Sequence, residues 1–235
     1  MSDEQTILNN PIWSALVSDN ANLGSGTDAV RVFDGEIAPF AGLKADKLEN
    51  FQTLFDLVEE ERVVVHFSPK LDLDTSPFES IDPIPGYQML FEGELSEADL
   101  DDDCLTLKEK DVPAMLELTS LAQPGPFLKR TIAFGGYRGI FNEGNLVAMG
   151  GQRLKSNGYT EISAICSHPD HNGKGYGRRI MYAVIRDIMA VGNVPYLHVR
   201  ADNTRAVALY KRLGFVICRD MNFYVLKKTG VVNLK

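Results

Sequence analysis

The chain has 235 residues, a formal net charge of −8, and hydrophobic and charged fractions of 44% and 24%, the composition of an ordinary globular protein. No apolar run reaches the roughly 18 residues that a membrane-spanning helix needs, and the N-terminus lacks the basic start and apolar core of a signal peptide. Cys104, Cys166 and Cys218 are widely spaced and indicate neither a disulfide framework nor a metal site. They fit a reducing compartment, so we expect a cytoplasmic protein.

Charge is divided unevenly along the chain. Residues 1–104 carry 23 acidic and 5 basic side chains, whereas residues 105–235 carry 9 acidic and 19 basic ones. We therefore expect two domains, 1–104 and 105–235, with an acidic run from Glu97 to Asp103 at their boundary. A basic half can attract nucleic acid or a small polyphosphate. The lack of aromatic residues interleaved with the basic ones disfavours nucleic acid.

The first half is predicted to be a small α/β domain without a catalytic motif. Apolar residues at helical spacing predict a helix over 46–58. Runs of β-branched and aromatic residues predict strands over 62–67 and 87–91. Between these strands, residues 69–86 are rich in Pro, Asp and Ser, which predicts a long loop.

The second half has clearer element boundaries. Asp111 and Pro113 start a predicted helix over 114–121. An Asn/Gly turn at 142–145 joins two apolar runs, which predicts a hairpin. The other predicted elements are strands over 137–141, 146–150, 159–166, 196–199, 215–218 and 223–226, and helices over 175–191 and 204–213.

A glycine-rich loop joins the strand at 159–166 to the next helix, with Gly173, Gly175 and Gly177 in five positions. Such glycines let the backbone approach a phosphate closely, and the helix N-terminus adds partial positive charge. Three basic side chains lie in the same segment: Lys174, Arg178 and Arg179. The loop alone fits a tight turn equally well, and it lacks the ending of a P-loop and the position of a Rossmann loop.

A second segment favours the phosphate-binding interpretation of this loop over a simple turn. Asn203 opens a helix that ends in Leu-Tyr-Lys-Arg-Leu-Gly-Phe at 209–215. In this order, the two segments resemble the pyrophosphate motif and a later signature of the GNAT acetyltransferase superfamily. The run Leu-His-Val-Arg-Ala-Asp-Asn at 197–203 most resembles the glycine N-acyltransferase-like branch. The resemblance covers roughly residues 105–228. The family motif has Arg or Gln where this chain has Asn172, which puts that one contact in doubt.

The resemblance implies an α/β (α+β) acyl-CoA N-acyltransferase fold, with a mixed, mostly antiparallel sheet flanked by helices. It implies acetyl-CoA as cofactor and a primary amine as acceptor, in an amino acid, a small amine or a peptide N-terminus. The amine would attack the thioester directly. The implied cofactor-binding residues are Ile165, Cys166, Ser167, Asn172, Gly173, Lys174, Gly175, Tyr176, Gly177, Arg178, Asn203 and Tyr210.

Two residues are expected to be catalytic. By the resemblance, Tyr210 is the general acid toward the coenzyme A sulfur, although a tyrosine in this position also fits a core aromatic. By the same resemblance, Glu161 is the candidate general base, and strand alternation predicts that Glu161, Ser163 and Ile165 share one face. The alternative for Glu161 is a surface carboxylate at the strand edge.

Several other side chains have two interpretations. His198 and His168 are alternative bases, since imidazole titrates near neutrality. Asn203 also fits an N-cap, and Gly214 fits the C′ position of the same helix. Cys166 lacks an ordered His/acid partner, which indicates a small buried residue and not a nucleophile. No group of residues has metal-ligand spacing.

The acidic half and the exact activity stay open at this stage. The N-terminal half is either a degenerate copy of the same fold that attracts a cationic amine, or an acidic surface that maintains solubility. A longer acyl donor and a non-catalytic acyl-CoA-binding module are the alternatives to acetyl transfer. We expect no nucleic-acid or membrane partner, and the protein is either a monomer or a homodimer.

Overall fold

The computed structural model describes residues 7–95 and 103–228. Its helices are α1 (Pro11–Leu16), α2 (Leu48–Leu57), α3 (Val112–Ala122), α4 (Tyr176–Ala190) and α5 (Thr204–Arg212). Its strands are β1 (Gly24–Gly26), β2 (Val30–Phe33), β3 (Ala41–Leu43), β4 (Val63–Ser68), β5 (Glu79–Ser80), β6 (Ile84–Phe91), β7 (Leu105–Thr106), β8 (Arg138–Asn142), β9 (Asn145–Ser156), β10 (Tyr159–Ser167), β11 (Val194–Arg200) and β12 (Phe215–Lys227).

Most strands form one sheet in the order β4-β12-β6-β11-β10-β9-β8-β7, with β5 paired to β12. Every described pairing in this sheet is antiparallel except that of β10 with β11. Strands β1, β2 and β3 form a second, three-stranded sheet. The predicted α/β class with a mixed, mostly antiparallel sheet is confirmed. The second sheet and α1 have no counterpart among the predicted elements.

The main sheet contains strands from both sides of residue 104. β6 lies between β11 and β12, pairing Gly86 with Arg200 on one side and Phe91 with Phe215 on the other. β4 pairs with the second part of β12. The charge-based boundary therefore does not coincide with a break in the sheet. Most of the acidic run, Glu97–Asp102, lies outside the described residues, and the division into two domains stays a prediction.

The end of the chain differs from the prediction. The two short strands expected at 215–218 and 223–226 are one continuous strand, β12, with an irregularity between Ile217 and Arg219. The polar residues Arg219 and Asp220 interrupt the apolar pattern, but their backbones pair with Gln88 and Tyr87 of β6. Backbone hydrogen bonding therefore continues where the side-chain pattern stops.

Two cores cover the two faces of the main sheet. On the face that we call the α4 face, α4 buries Ile180, Met181, Val184, Ile185 and Ile188, which follow the spacing of one helical stripe. On the opposite face, called the α1 face, α1 and α3 pack against the sheet with a core that includes Ile12, Met115 and Leu118.

A third core lies between the three-stranded sheet, α2 and β4. Within the described ranges, no helix has the length and apolar character needed to cross a membrane.

Candidate functional site

The parallel strands β10 and β11 separate partway along their length. Their pairing covers only Tyr159–Val194, Thr160–Pro195 and Glu161–Tyr196. Beyond that point β10 continues to Ser167, paired only with β9, and β11 continues to Arg200, paired only with β6. The facing edges are therefore unpaired among the described residues, and we call the space between them the opening.

A bulge in β10 lies beside the opening. The register of β10 against β9 shifts between Ser163 and Cys166, and Ala164 has a φ of 56°, in the left-handed region. Beyond the bulge, Ile165 lies on the α4 face and packs against the core that contains Ile180, and both side chains lie over Gly150. Glu161 faces the α1 side. The prediction that Glu161 and Ile165 share a face is wrong, because strict alternation fails at a bulge.

The glycine-rich loop presents a row of free amides. Gly173 and Gly175 have φ of 80° and 79°, and a Cβ on either would have no atom within 4 Å. Among the described residues, no acceptor takes the backbone N–H groups of residues 173–177, of which the last two begin α4. Neighbouring amides at a helix N-terminus are an arrangement that can bind a phosphate-type anion.

The side chains around this loop are basic and aromatic. Lys174 Nζ lies 3.3 Å from His171 Nδ1, and the His171 ring stacks on Tyr176 at 6.1 Å. The Arg179 guanidinium lies 5.6 Å from the centre of the Tyr176 ring and 3.2 Å from a carboxylate oxygen of Asp103. Arg178 and Asn172 are exposed. The loop thus combines free amides with positive charge, and the cofactor-binding role of residues 172–178 stays a prediction.

Residues 165–167 form the end of β10 that faces the opening. Cys166 pairs with Met149 and Ser167 with Ala148, which leaves the other edge of this segment open. An extended ligand can add to such an edge as a further strand would. Burial raises the pKa of the Cys166 thiol to about 12, so it is protonated at neutral pH. This fits the predicted buried residue and disfavours a nucleophile.

Tyr210 lies on α5, which packs on the α4 face, and Asn203 immediately precedes this helix. The half-buried ring of Tyr210 contacts Phe215 at 6.0 Å and packs against the same core as Ile165 and Tyr176. Burial raises its pKa to about 12, so the phenol keeps its proton at neutral pH. Asn203 is the N-cap of α5, its Oδ1 accepting from Ala206 N at 3.1 Å. The acid role of Tyr210 stays a prediction.

Glu161 is fully buried in an ion pair. Arg153 Nε and Nη2 donate to its two oxygens at 2.7 and 2.6 Å, and His198 Nδ1 lies 2.7 Å from Oε1. Burial alone would raise the pKa of Glu161, but the Arg153 charge and these hydrogen bonds lower it to about 2. The surface-carboxylate alternative is therefore wrong. The base role stays a prediction, and a carboxylate so strongly acidic is poorly matched to accepting protons near neutrality.

The two candidate histidines are both engaged. The side chain of His198 is 2% exposed, and its Nε2 lies 2.9 Å from Gln88 Nε2. A neutral ring with its proton on Nδ1 satisfies Glu161 and Gln88 together. His168 accepts from Asp170 N at 3.2 Å beside the glycine-rich loop. Within the described part of the chain, no group of three or more His, Cys, Asp or Glu residues could hold a metal ion.

Two residues of this hydrogen-bonded group were missed from the sequence: Arg153, which binds Glu161, and Gln88, which contacts His198. Arg153 and Gln88 carry no motif, and Gln88 is fully buried. The available signal was a charged or amide residue within a strand that is otherwise apolar, at 146–154 and 84–91, because a polar group there needs a buried partner.

Comparison with known proteins agrees with this geometry. The family model described as FR47-like protein matches residues 137–224. A crystal structure described as an acetyltransferase from the GNAT family, from Novosphingobium aromaticivorans DSM 12444, is 30% identical. It superposes with a TM-score of 0.87 and covers 95% of this chain and 99% of its own. This relative therefore covers most of the chain, on both sides of residue 104.

Two named relatives match shorter regions of the chain. The N-alpha-acetyltransferase RimI of Mycobacterium tuberculosis is 42% identical over 55 residues, 23% of this chain and 34% of that protein. The L-amino acid N-acyltransferase MnaT of Escherichia coli is 31% identical over 102 residues, 40% of this chain and 58% of that protein. In both cases the chain spans less than two thirds of the relative's length.

Proposed function

Since this chain belongs to the GNAT acetyltransferase family, an acyl-CoA-dependent group of transferases, we propose that it moves the acetyl group of acetyl-CoA to a primary amine. The observation that carries the proposal is the row of free amides at 173–177, placed next to the unpaired edge of β10. The resemblance to the GNAT superfamily noted from the sequence is confirmed. The donor, the acceptor and the catalytic residues belong to the proposal.

The residues of the site fit coenzyme A. The amides of residues 173–177 bind the pyrophosphate, and the open space where a Cβ would lie on Gly173 or Gly175 admits it closely. Lys174 and Arg178 add charge beside it. The free edge of residues 165–167 pairs with the pantetheine arm, and the Asn203 side-chain N–H groups donate to that arm. Asn203 can do this while its Oδ1 caps α5.

Bound acetyl-CoA supplies an activated thioester: the amine forms a C–N bond with the acetyl carbon, and the C–S bond breaks. Tyr210 donates its phenolic proton to the departing sulfur and is reprotonated from solvent. Because the pKa of Tyr210 is raised to about 12, the phenol is protonated at neutral pH before the substrate binds. Because both oxygens of Glu161 are hydrogen-bonded, we assign the proton lost by the amine to water in the opening.

The names of RimI and MnaT support an amine as the acceptor. One is named an N-alpha-acetyltransferase and the other an L-amino acid N-acyltransferase, so we propose the α-amine of an amino acid or of a peptide as the acceptor. The name of the second, an N-acyltransferase, keeps longer acyl donors as the alternative. A panel of acetyl-, butyryl- and benzoyl-CoA with the same acceptor decides between them.

The first test is thermal unfolding with acetyl-CoA, coenzyme A or ATP. A ligand at a hundred times its Kd stabilises the native state by about 2.7 kcal/mol, which raises the Tm of a protein this size by roughly 5–10 °C. We expect this rise with both coenzyme A species and not with ATP. If none of the three ligands raises the Tm at millimolar concentration, both the proposed cofactor and the proposed activity are contradicted.

Tyr210→Phe tests the acid once coenzyme A binding is established. Thiol release from acetyl-CoA with a panel of amino acids and peptides measures turnover. We expect kcat to fall by about 10²–10⁴, with the affinity for coenzyme A changed less than about twofold, because the ring and its contact with Phe215 remain. Tyr182→Phe, on α4, is the control for loss of a half-buried phenol. Equal turnover of wild type and Tyr210→Phe removes Tyr210 from the mechanism.

A further inference from the structure

Four polar side chains form a continuous row across the sheet at the closed end of the opening. Arg153 on β9 binds Glu161 on β10, Glu161 binds His198 on β11, and His198 binds Gln88 on β6. These four strands are neighbours in the sheet. Glu161 and Tyr196 make the last paired contact before β10 and β11 separate. The row, which we call the clasp, therefore bridges the strands where their separation begins.

The clasp is buried under aromatic side chains of the N-terminal half. The Arg153 guanidinium lies 4.7 Å from the centre of the Phe40 ring and 5.9 Å from that of Phe67. The His198 ring contacts Phe67 at 4.9 Å. The side chains of Arg153 and Glu161 are 13% and 0% exposed. Because these side chains are shielded from solvent, the ion pair is weakly screened, and an unpaired charge at this position would destabilise the fold.

The clasp also holds the start of the described chain. Gln88 Nε2 donates to the carbonyl of Leu8 at 2.9 Å as well as facing His198. Leu8 is itself 2% exposed in the core on the α1 face. Docking of this N-terminal segment is therefore connected, through two hydrogen bonds, to the pair that joins β10 and β11.

We propose that the clasp is a positioning device that sets the separation of β10 and β11, and with it the width of the slot for the acyl-CoA arm. This inference rests on the proposed acyl transfer, and it gives Glu161 a role that acts through geometry instead of proton transfer. The bidentate Arg153 contact fixes the carboxylate, the carboxylate fixes the His198 tautomer, and His198 holds β11 at a constant distance from β10.

Glu161→Gln separates positioning from base catalysis, since it keeps the size of the side chain and removes the charge. Positioning predicts a KM for acetyl-CoA raised about tenfold or more, a kcat within about threefold of wild type, and an unchanged shape of the pH–rate profile. A base would give the opposite split: kcat lower by about 10²–10⁴ with KM unchanged, and loss of the acidic limb. That second result overturns the proposal.

Arg153→Lys also distinguishes positioning from base catalysis, because the two roles predict different effects on KM and kcat. The lysine keeps the charge but not the planar two-bond contact. Positioning predicts a higher KM for acetyl-CoA, between those of wild type and Glu161→Gln. If Glu161 were the base, weakening its partner would bring its pKa closer to neutrality, and kcat would hold or rise. The control is Asp187→Asn, which breaks the two-bond pair of Arg138 with Asp187 away from the opening and should change neither constant.

Hydrogen exchange on the ligand-free proteins tests the clasp without activity. We expect the amides of residues 159–161 and 194–196, the segments over which β10 and β11 are paired, to exchange at least tenfold faster in Glu161→Gln than in wild type. Asp187→Asn should leave them unchanged. Equal exchange in Glu161→Gln and wild type overturns the clasp. If the wild type does not bind acetyl-CoA, the proposed function fails, and this measurement still decides the clasp.

Discussion

Replacing Gly175 by alanine separates the binding role of the glycine-rich loop from its folding role. Gly175 has a φ of 79°, and a Cβ there would meet no atom within 4 Å. The cost to the fold is therefore the left-handed backbone alone, about 1–2 kcal/mol for a residue with a Cβ. That cost lowers the Tm of a protein this size by about 2–8 °C.

The effect on coenzyme A should be larger than this strain explains. The added methyl group projects into the open space beside the free amides of 173–177 and keeps a phosphate from approaching. Losing one hydrogen bond to a charged group costs about 1.5–3 kcal/mol, which is a roughly tenfold to hundredfold weaker Kd. Titration calorimetry with coenzyme A measures this directly.

Gly158→Ala is the matched control. Gly158 lies in the turn between β9 and β10, with a φ of 89° and no atom within 4 Å of its Cβ. Its substitution carries the same backbone strain without touching the loop. We expect both variants to lose similar thermal stability, and only Gly175→Ala to lose affinity. Equal coenzyme A affinities for the two variants would show that the loop is only a turn, and the reasoning from free amides would be refuted.

Three further outcomes are expected. Cys166→Ala should retain activity within about twofold, and iodoacetamide at pH 7.5 should not inactivate the wild type. The reason is that burial raises the pKa of the Cys166 thiol to about 12, which leaves little reactive thiolate. Inactivation of the wild type by iodoacetamide, with Cys166→Ala resistant to it, would contradict this. Glu161 has a pKa lowered from 4.5 to about 2, so its contribution to stability is present above about pH 4.5 and is lost as the pH falls towards 2. In urea unfolding, the destabilisation caused by Glu161→Gln should therefore be largest near pH 7 and shrink below pH 4.5, and a constant difference would count against an ionised buried pair. Expression of residues 105–235 alone should give an insoluble or unfolded fragment, because β11 and β12 lose β6 from between them; a soluble fragment with cooperative unfolding would instead support the division at residue 104.

The elements that local sequence dictates were predicted well. The apolar stripe of α4, the Asn/Gly turn between β8 and β9, and the position of Gly214 after α5 all depend on residues within a few positions of one another. Gly214 has a φ of 95°, as its C′ position requires. The glycine-rich loop belongs to the same group, because the free amides come from the backbone of five consecutive residues.

The environment of Glu161 could not be predicted in the same way. Alternation along β10 predicts the facing of side chains only while the strand is regular, and the bulge at Ala164 ends that regularity. The partners of Glu161 lie 8 and 37 positions away on two other strands. Whether a carboxylate is a solvated base or a buried ion pair depends on what surrounds it, and those contacts are long-range.

The sequence by itself determined the class of the fold, the order of the second-half elements and the loop suited to a phosphate. These depend on hydrophobic period, turn residues and the missing Cβ of glycine, which act over short distances. The tertiary structure alone decided that β6 completes the sheet between β11 and β12, and that Arg153, Glu161, His198 and Gln88 meet at the opening. Strand pairing across long stretches of chain, and the burial of charge that follows from it, arise only when the sheet is assembled.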